Sequence, residues 1–310
     1  MILTVTLNPA VDKIIILDSL ELGGLNRVKD TSTLAGGKGI NVSEVLTELD
    51  KENTALGIVG GSNGQIINRF LAEMEVKSDF NWSNKNTRQN LKIKEKNKNR
   101  ETEINETGKI DADDLQSFKE KYDKYIKDNK TVVLSGSLPD GAPDNIYAEL
   151  IEKAVKEDVK VILDTSGEAF KIGLEKSPYL VKPNLEEMEY LLAKDLESND
   201  DLKEAAEFLL NKGVKEVMIS LGGDGAFIAS KSEAYRLYTP AVDVAQTTVG
   251  AGDTMVAGLA KEIDQNSSLK DTGIYAAALA TAFVKMGSIS DIDRELIEKI
   301  KEEIKVEKIY

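Results

Sequence analysis

Thr131-Val-Val-Leu-Ser-Gly-Ser-Leu-Pro139, Val159-Lys-Val-Ile-Leu-Asp164, Tyr179-Leu-Val-Lys-Pro-Asn184 and Glu216-Val-Met-Ile-Ser-Leu-Gly222 are four short apolar runs, each stopping at polar residues or glycine. Between them, residues 144–157, 186–192 and 200–212 carry apolar positions at helical spacing. Buried strands alternating with amphipathic helices predict a parallel sheet covered on both faces. Such a sheet builds its sites at the carboxyl ends of its strands, where this chain places Ser137, Asp164, Lys182, Asn184 and Ser220.

Outward from that core, Ile2 to Leu7 reads as a strand ended by Asn8-Pro9, and Ile40, Val42, Val45, Leu46 and Leu49 follow a helical period. Two polar-apolar stretches, 13–20 and 27–34, flank the turn Leu22-Gly23-Gly24. The Asn- and Lys-rich segment 81–105 lacks a helical face, and Leu91 and Ile93 alternate with polar residues, as in a solvent-exposed hairpin turning at 95–100. Toward the end, 227–229 and 234–238 suggest an antiparallel hairpin, followed by helices at 252–262, 269–285 and 293–304. The expected architecture is one α/β domain over residues 1–310. A small β-sheet drawn from about 13–34 and 86–105 would stand over it as a lid, its edges covered by a second subunit.

Composition narrows the chemistry. Forty Lys and Arg against fifty-four Asp and Glu give a formal charge of −14, which disfavours nucleic acid and anionic membranes as partners. There is no cysteine and no histidine, so thiolate nucleophiles, Cys or His zinc sites and His bases are excluded. A base would be Asp, Glu, Lys or Tyr. The longest apolar stretch, 274–284, is too short to span lipid, and the first apolar run is interrupted by Asp12 and Lys13. The expected compartment is the cytoplasm.

Three glycine-rich turns stand out. Gly36-Gly37-Lys38-Gly39-Ile40-Asn41 sits between a strand and a helix; its glycines would admit a ligand, Lys38 would add a charge and Asn41 would bond a sugar, while the plainer reading is a tight turn with a solvated lysine. Val249-Gly250-Ala251-Gly252-Asp253 opens a helix, where backbone N–H groups form an anion hole and Asp253 is either a base or a helix cap. Ser220-Leu221-Gly222-Gly223-Asp224-Gly225 would wrap a nucleotide. Neither a P-loop nor a dinucleotide fingerprint occurs. Asp12 and Arg88 are further polar candidates near strand ends. Asn184 and Glu187, three apart, suit either water-mediated magnesium near a phosphate or a capping box.

Taken in order, Thr6–Asp12, Gly36–Val42, Thr87–Asn90, Ser135–Pro139, Asp164–Gly167, Lys182–Glu187, Ser220–Ala226 and Val249–Asp253 resemble the motifs of the ribokinase-like (PfkB-type) carbohydrate kinases. The resemblance spans nearly the whole chain and points to the branch acting on phosphorylated sugars. It implies a Rossmann-like three-layer α/β/α fold with a β-sheet lid, ATP and Mg2+ as cofactors, and a homodimer through the lid. It implies that Asp253 is the catalytic base, with Gly250, Ala251 and Gly252 as the anion hole. Asp12, Gly37, Asn41 and Asn90 would bind the sugar, and Arg27, Lys38, Arg88 and Ser137 the phosphate already on it. Lys182, Ser220, Gly222 and Gly225 would hold ATP, with Asn184 and Glu187 positioning magnesium through water.

The implied reaction is D-fructose 1-phosphate plus ATP to D-fructose 1,6-bisphosphate plus ADP. Lys38 resembles the fructose 1-phosphate and tagatose 6-phosphate kinases, the strand Thr102–Asn105 resembles the fructose 1-phosphate type, and Thr87–Leu91 resembles instead the minor 6-phosphofructokinases. Fructose 1-phosphate is favoured, with tagatose 6-phosphate and fructose 6-phosphate as alternatives and a non-catalytic sugar-phosphate sensor as the other class. The segment Lys285–Asp291 departs from the family by its shortness and by lacking an asparagine, which leaves the adenine contacts open.

Overall fold

The structure is a computed structural model that describes residues 1–310 apart from Asn99, Gln246, Ile289, Ser290 and Asp291. The chain runs β1 (Ile2–Thr6), β2 (Ala10–Leu17), β3 (Asp30–Gly36), α1 (Lys38–Glu48), β4 (Asn53–Gly60) and α2 (Gly61–Glu73). It continues through β5 (Asn81–Ser83), β6 (Arg88–Glu95), β7 (Arg100–Asn105), α3 (Ala112–Tyr125), β8 (Thr131–Ser135) and α4 (Ile146–Lys156). Next come β9 (Lys160–Asp164), α5 (Gly167–Leu174), β10 (Leu180–Val181), α6 (Leu185–Leu192), α7 (Asn199–Asn211) and β11 (Glu216–Ser220). The last elements are β12 (Ala226–Ser230), β13 (Ala234–Tyr238), α8 (Ala251–Asp264), α9 (Leu269–Met286), α10 (Arg294–Glu303) and β14 (Lys305–Lys308).

Among the described residues, ten strands form one sheet in the order β14-β13-β12-β11-β10-β9-β8-β1-β4-β5. From β11 to β5 every pairing is parallel, and β12, β13 and β14 add an antiparallel edge. Strand periodicity sorts the side chains: Leu3, Val5, Val132, Leu134, Val161 and Leu163 enter one core with α3, α4 and α5. Ile2, Val133 and Ile162 point the other way, into a core with α1, α8 and α9. This is the expected three-layer α/β/α arrangement. No described helix is long and apolar enough to cross a membrane.

A second sheet, β3-β2-β6-β7, stands apart from the first. Its strands begin and end elsewhere than the sequence patterns suggest: β2 starts directly after Pro9 and runs to Leu17, and β3 starts only at Asp30. Pairing of β2 with β6 from Ala10↔Arg88 onward fixes this register, because hydrogen bonds to a neighbouring strand outweigh the local pattern. Asn81–Ser83 belongs to the main sheet beside β4, not to the hairpin.

β1 has β4 on one side and β8 on the other, so the chain reverses direction of assembly there and leaves a crevice at the carboxyl ends of these strands. Helix α1 crosses close to β1: a Cβ on Gly39 would lie 2.5 Å from Thr6 Oγ1 and 2.8 Å from the Val5 carbonyl oxygen. Glycine there is what lets α1 settle against the sheet and carry its next turn toward α8.

That settling buries Glu44, which is 8 % exposed and faces Asp253 and Glu48. Burial, reinforced by those two carboxylates, pushes its carboxyl up to about 8. The unfolded chain loses this proton near the ordinary glutamate value, so between that pH and about 8 the folded state holds a proton the unfolded state lacks, and stability falls as pH rises. Glu44→Gln should remove this dependence. In denaturant melts from pH 5 to 8.5, stability of the variant relative to the parent should rise by on the order of 3 kcal/mol; a flat difference would show that Glu44 titrates normally.

Candidate active site

The site lies where β1, β8, β9, β10 and β11 end. At its centre is Asp253, in the first turn of α8 and 7 % exposed. The helix can start here because Gly250 takes the left-handed conformation, φ 100°, at the N-cap position. The Thr254 N–H and hydroxyl both donate to the Gly250 carbonyl, and the Ala251 N–H donates to Thr248 at 3.2 Å. Of the three residues expected to form the anion hole, Ala251 therefore has its N–H occupied. Asn41, expected to bond a ligand, instead donates from Nδ2 to Asp253 Oδ2 at 2.7 Å. Burial and the charge of Asp164 push the Asp253 carboxyl up to about 6, while Lys38, Asn41 and Lys182 restrain the rise.

Asp164, 2 % exposed at the end of β9, gathers three donors. Ser135 Oγ and Lys38 Nζ each lie 3.1 Å from Oδ2, and Lys182 Nζ is 3.4 Å from Oδ1. Burial alone would raise its pKa, but the two ammonium groups more than offset this and hold it below the usual carboxylate value. Burial likewise opposes the charge on Lys38, yet Asp164 and Asp253 outweigh it and raise that lysine. Lys182 also approaches α8: its Nζ is 3.7 Å from where a Gly252 Cβ would be. Two lysines and two carboxylates thus share one cluster, with the amino groups next to a helix start that favours anions.

A cleft of about 920 Å3 opens beside this cluster. Lys182, Asn184, Glu187, Ser220, Gly222 and Gly225, the residues expected to serve the nucleotide, all line it, as do Lys38, Ala251 and Gly252. The lining also has an apolar part, with Val242, Val244, Met255, Ala277, Ala280 and Val284. The members on α9, Ala277, Ala280 and Val284, carry no sequence signal of a site, because small apolar residues on a helix look like ordinary core. Of the departing segment Lys285–Asp291, the residues Ile289, Ser290 and Asp291 lie outside the described residues.

Asn184 and Glu187 form a reciprocal capping box: the Glu187 N–H donates to Asn184 Oδ1 at 2.7 Å and the Asn184 N–H to Glu187 Oε2 at 2.9 Å. The capping alternative read from the sequence is thus realised. It does not exhaust the pair: the second Glu187 oxygen makes no hydrogen bond among the described residues, and a hard oxygen donor lining a nucleotide-sized cleft fits magnesium held largely through water.

A second group sits under the smaller sheet. Asp12 Oδ1 accepts from Asn90 Nδ2 at 2.8 Å and Oδ2 pairs with Lys92 at 2.9 Å. Arg88 donates to the Asn8 carbonyl from Nε and Nη2 at 3.3 and 3.2 Å, and Asn8 Nδ2 donates to Ser137 Oγ at 3.1 Å. Asn8 thereby joins two expected phosphate ligands, a role its place before Pro9 did not disclose. Gly37, φ 133°, abuts Thr6, since a Cβ there would lie 2.8 Å from Thr6 Cγ2; that flank is filled by protein. Arg27 is not brought in. It lies in the exposed connection between β2 and β3, outside any strand, with no polar contact to the other site residues. Lys92, which its sequence context did not single out, does join the group, through its pair with Asp12.

The electrostatic arrangement around Asp253 is directly measurable. Carboxyl-carbon NMR should give Asp253 a pKa near 6, and Asn41→Ala, by removing a hydrogen bond to the ionised form, should raise it by about 1 unit. A value near 4 in the parent, or a fall in the variant, would contradict this geometry.

The pattern that defines the pfkB family carbohydrate kinases matches residues 5–293. The 1-phosphofructokinase of Borreliella burgdorferi is 38% identical, the match covering 100% of this chain and 99% of that one. The 1-phosphofructokinase of Bacillus subtilis is 34% identical, over 97% of this chain and 99% of that one. Phosphofructokinase-2 from Escherichia coli, solved in complex with potassium, superposes with a TM-score of 0.90 at 29% identity, covering 97% of this chain and 98% of that one. The fold, the strand-end motifs and these likenesses agree, and the chain belongs to the pfkB family of carbohydrate kinases.

Proposed function

We propose that the protein transfers the γ-phosphoryl group of ATP to the free primary hydroxyl of D-fructose 1-phosphate, giving D-fructose 1,6-bisphosphate and ADP. One observation carries the reading: a buried carboxyl poised near pH 6 at the start of α8, beside two lysines and a nucleotide-sized cleft. A base must be ionised at working pH and still be able to hold a proton, and Asp253 meets both conditions. Two relatives named for the fructose 1-phosphate reaction favour that acceptor.

In the reaction, Asp253 takes the proton of the acceptor hydroxyl as its oxygen bonds to the γ-phosphorus. The bond from that phosphorus to the bridging oxygen breaks, and the electron pair leaves with ADP. Lys38, Lys182 and the first N–H groups of α8 offset the charge on the transferring oxygens. Bound magnesium, held through water by Glu187 and Asn184, would neutralise charge on the ATP phosphates. Asp12 and Asn90 take the sugar, and Arg88 and Ser137 its existing phosphate. Ser220, Gly222 and Gly225 support ATP, and the apolar wall receives its base.

The smaller sheet acts as a lid that keeps water from the phosphoryl group. The exposed Leu34 and Ile104 of this sheet, with Leu22, Leu25 and Val28 of the β2–β3 connection, suit a second copy of the chain as partner, so light scattering should return twice the monomer mass.

The substrate is tested by initial rates with magnesium-ATP and each of fructose 1-phosphate, tagatose 6-phosphate and fructose 6-phosphate. The reading predicts kcat/KM at least about a hundredfold higher for fructose 1-phosphate. A preference for tagatose 6-phosphate would retain the kinase and overturn the acceptor. Folded protein that turns over none of them would favour a sugar-phosphate sensor.

A further inference from the structure

Strand β6 puts Arg88, Asn90 and Lys92 on one face, two residues apart, while Leu91 and Ile93 face the other way. In the parallel register with β2, Asn90 stands opposite Asp12 and Lys92 opposite Ile14, so Lys92 reaches back one step to meet the carboxylate. It pairs with Oδ2 at 2.9 Å, and Asn90 holds Oδ1 at 2.8 Å. The third side is closed by β3, where a Cβ on Gly36 would lie only 2.7 Å from Asp12 Oδ1. Both side chains of the ion pair are largely out of water, at 17% and 16% exposure, unlike the solvated pairs that contribute little. Asp12 is thus gripped on both oxygens, and its backbone neighbour must lack a side chain for the grip to fit.

We propose that Lys92 is a positioning residue for the sugar: with Asn90 and the gap at Gly36 it fixes the plane of the Asp12 carboxylate, so that the lone pairs left over point at the acceptor's hydroxyls. The inference rests on the reading of Asp12 as a sugar ligand. A carboxylate offers about four lone-pair directions. Two are taken by Asn90 and Lys92, and the remaining two are the ones a pair of sugar hydroxyls would use. Without Lys92 the half-buried carboxylate keeps one donor and can turn about its side-chain bonds, and an acceptor that needs directed bonds then pays to order it. The ATP side of the site touches none of these groups, so the effect belongs to the acceptor alone.

The test is steady-state kinetics of the full-length protein with fructose 1-phosphate and magnesium-ATP, comparing Lys92→Met, Lys92→Arg, Asp12→Asn and the Lys92→Met/Asp12→Asn double variant. Lys92→Met should raise KM for the sugar phosphate about tenfold, with kcat and KM for ATP within about twofold of the parent. Lys92→Arg should recover most of the loss. In the Asp12→Asn background, Lys92→Met should add less than about twofold, because its object is already gone. If Asp12→Asn raises the acceptor KM while Lys92→Met does not, the inference falls and the reading of Asp12 stands. A full Lys92→Met effect in the Asp12→Asn background would mean the lysine meets the acceptor itself, and also overturns the inference. An Asp12→Asn variant with unaltered acceptor KM overturns both. Should Lys92→Met melt well below the parent, Lys92→Ala, which likewise removes the donor to Asp12, is read by the same criteria.

Discussion

A carboxylate kept out of water at the first turn of a helix must be balanced by neighbours, or it takes up a proton and ceases to be a base. Asp253 is balanced from three directions: by Asn41 on α1, by Lys38 and Lys182, and by the dipole of its own helix. Asp164 works the other way, raising Asp253 while holding both lysines in position. The result lies between a surface aspartate and a neutral buried acid. Every element nearby serves that balance: α1 can bring Asn41 over only because Gly39 lets it press on β1, and α8 can begin only because Gly250 turns left-handed.

The same cluster explains how an acidic protein of charge −14 can receive two phosphorylated ligands. The cations are drawn from separate segments: Lys38 from the start of α1 and Lys182 from just after β10 meet at Asp164, while Arg88 and Lys92 of β6 belong to the second group, at Asn8 and Asp12. Within a cleft, local charge at a few ångströms outweighs the mean field of distant, screened carboxylates. The net negative charge of the surface therefore acts only weakly on a small anion once it is inside.

Much of this was legible in the sequence where a local rule and the tertiary structure agree. The parallel strands of the core announced themselves as apolar runs, and the polar residues that end them do line the site. Legibility failed where partners distant in the chain decide the outcome. β2 and β3 take their limits from pairing with β6 and with each other, not from their own patterns. β14, Lys305–Lys308, has one apolar residue, Val306, among three charged ones at an exposed edge and gave no strand signal. Arg27 resembled a phosphate ligand by its motif, and within one chain it lies in the exposed connection between β2 and β3. Lys92 looked like one more lysine in a Lys-rich hairpin until the register set it against Asp12. Asn41 shows a subtler limit: its residue type announces a hydrogen bond, but only the packing of α1 on α8 reveals that the partner is Asp253.

The central claim is that Asp253 accepts the proton of the attacking hydroxyl. The most direct test is a single-turnover measurement with ATP bound and fructose 1-phosphate added, comparing the parent with Asp253→Asn at pH 7.5. The account predicts that transfer slows by about 10²- to 10⁴-fold, while ATP affinity changes by no more than a few-fold. Transfer within tenfold of the parent rate would contradict it, and would require that another group remove the proton.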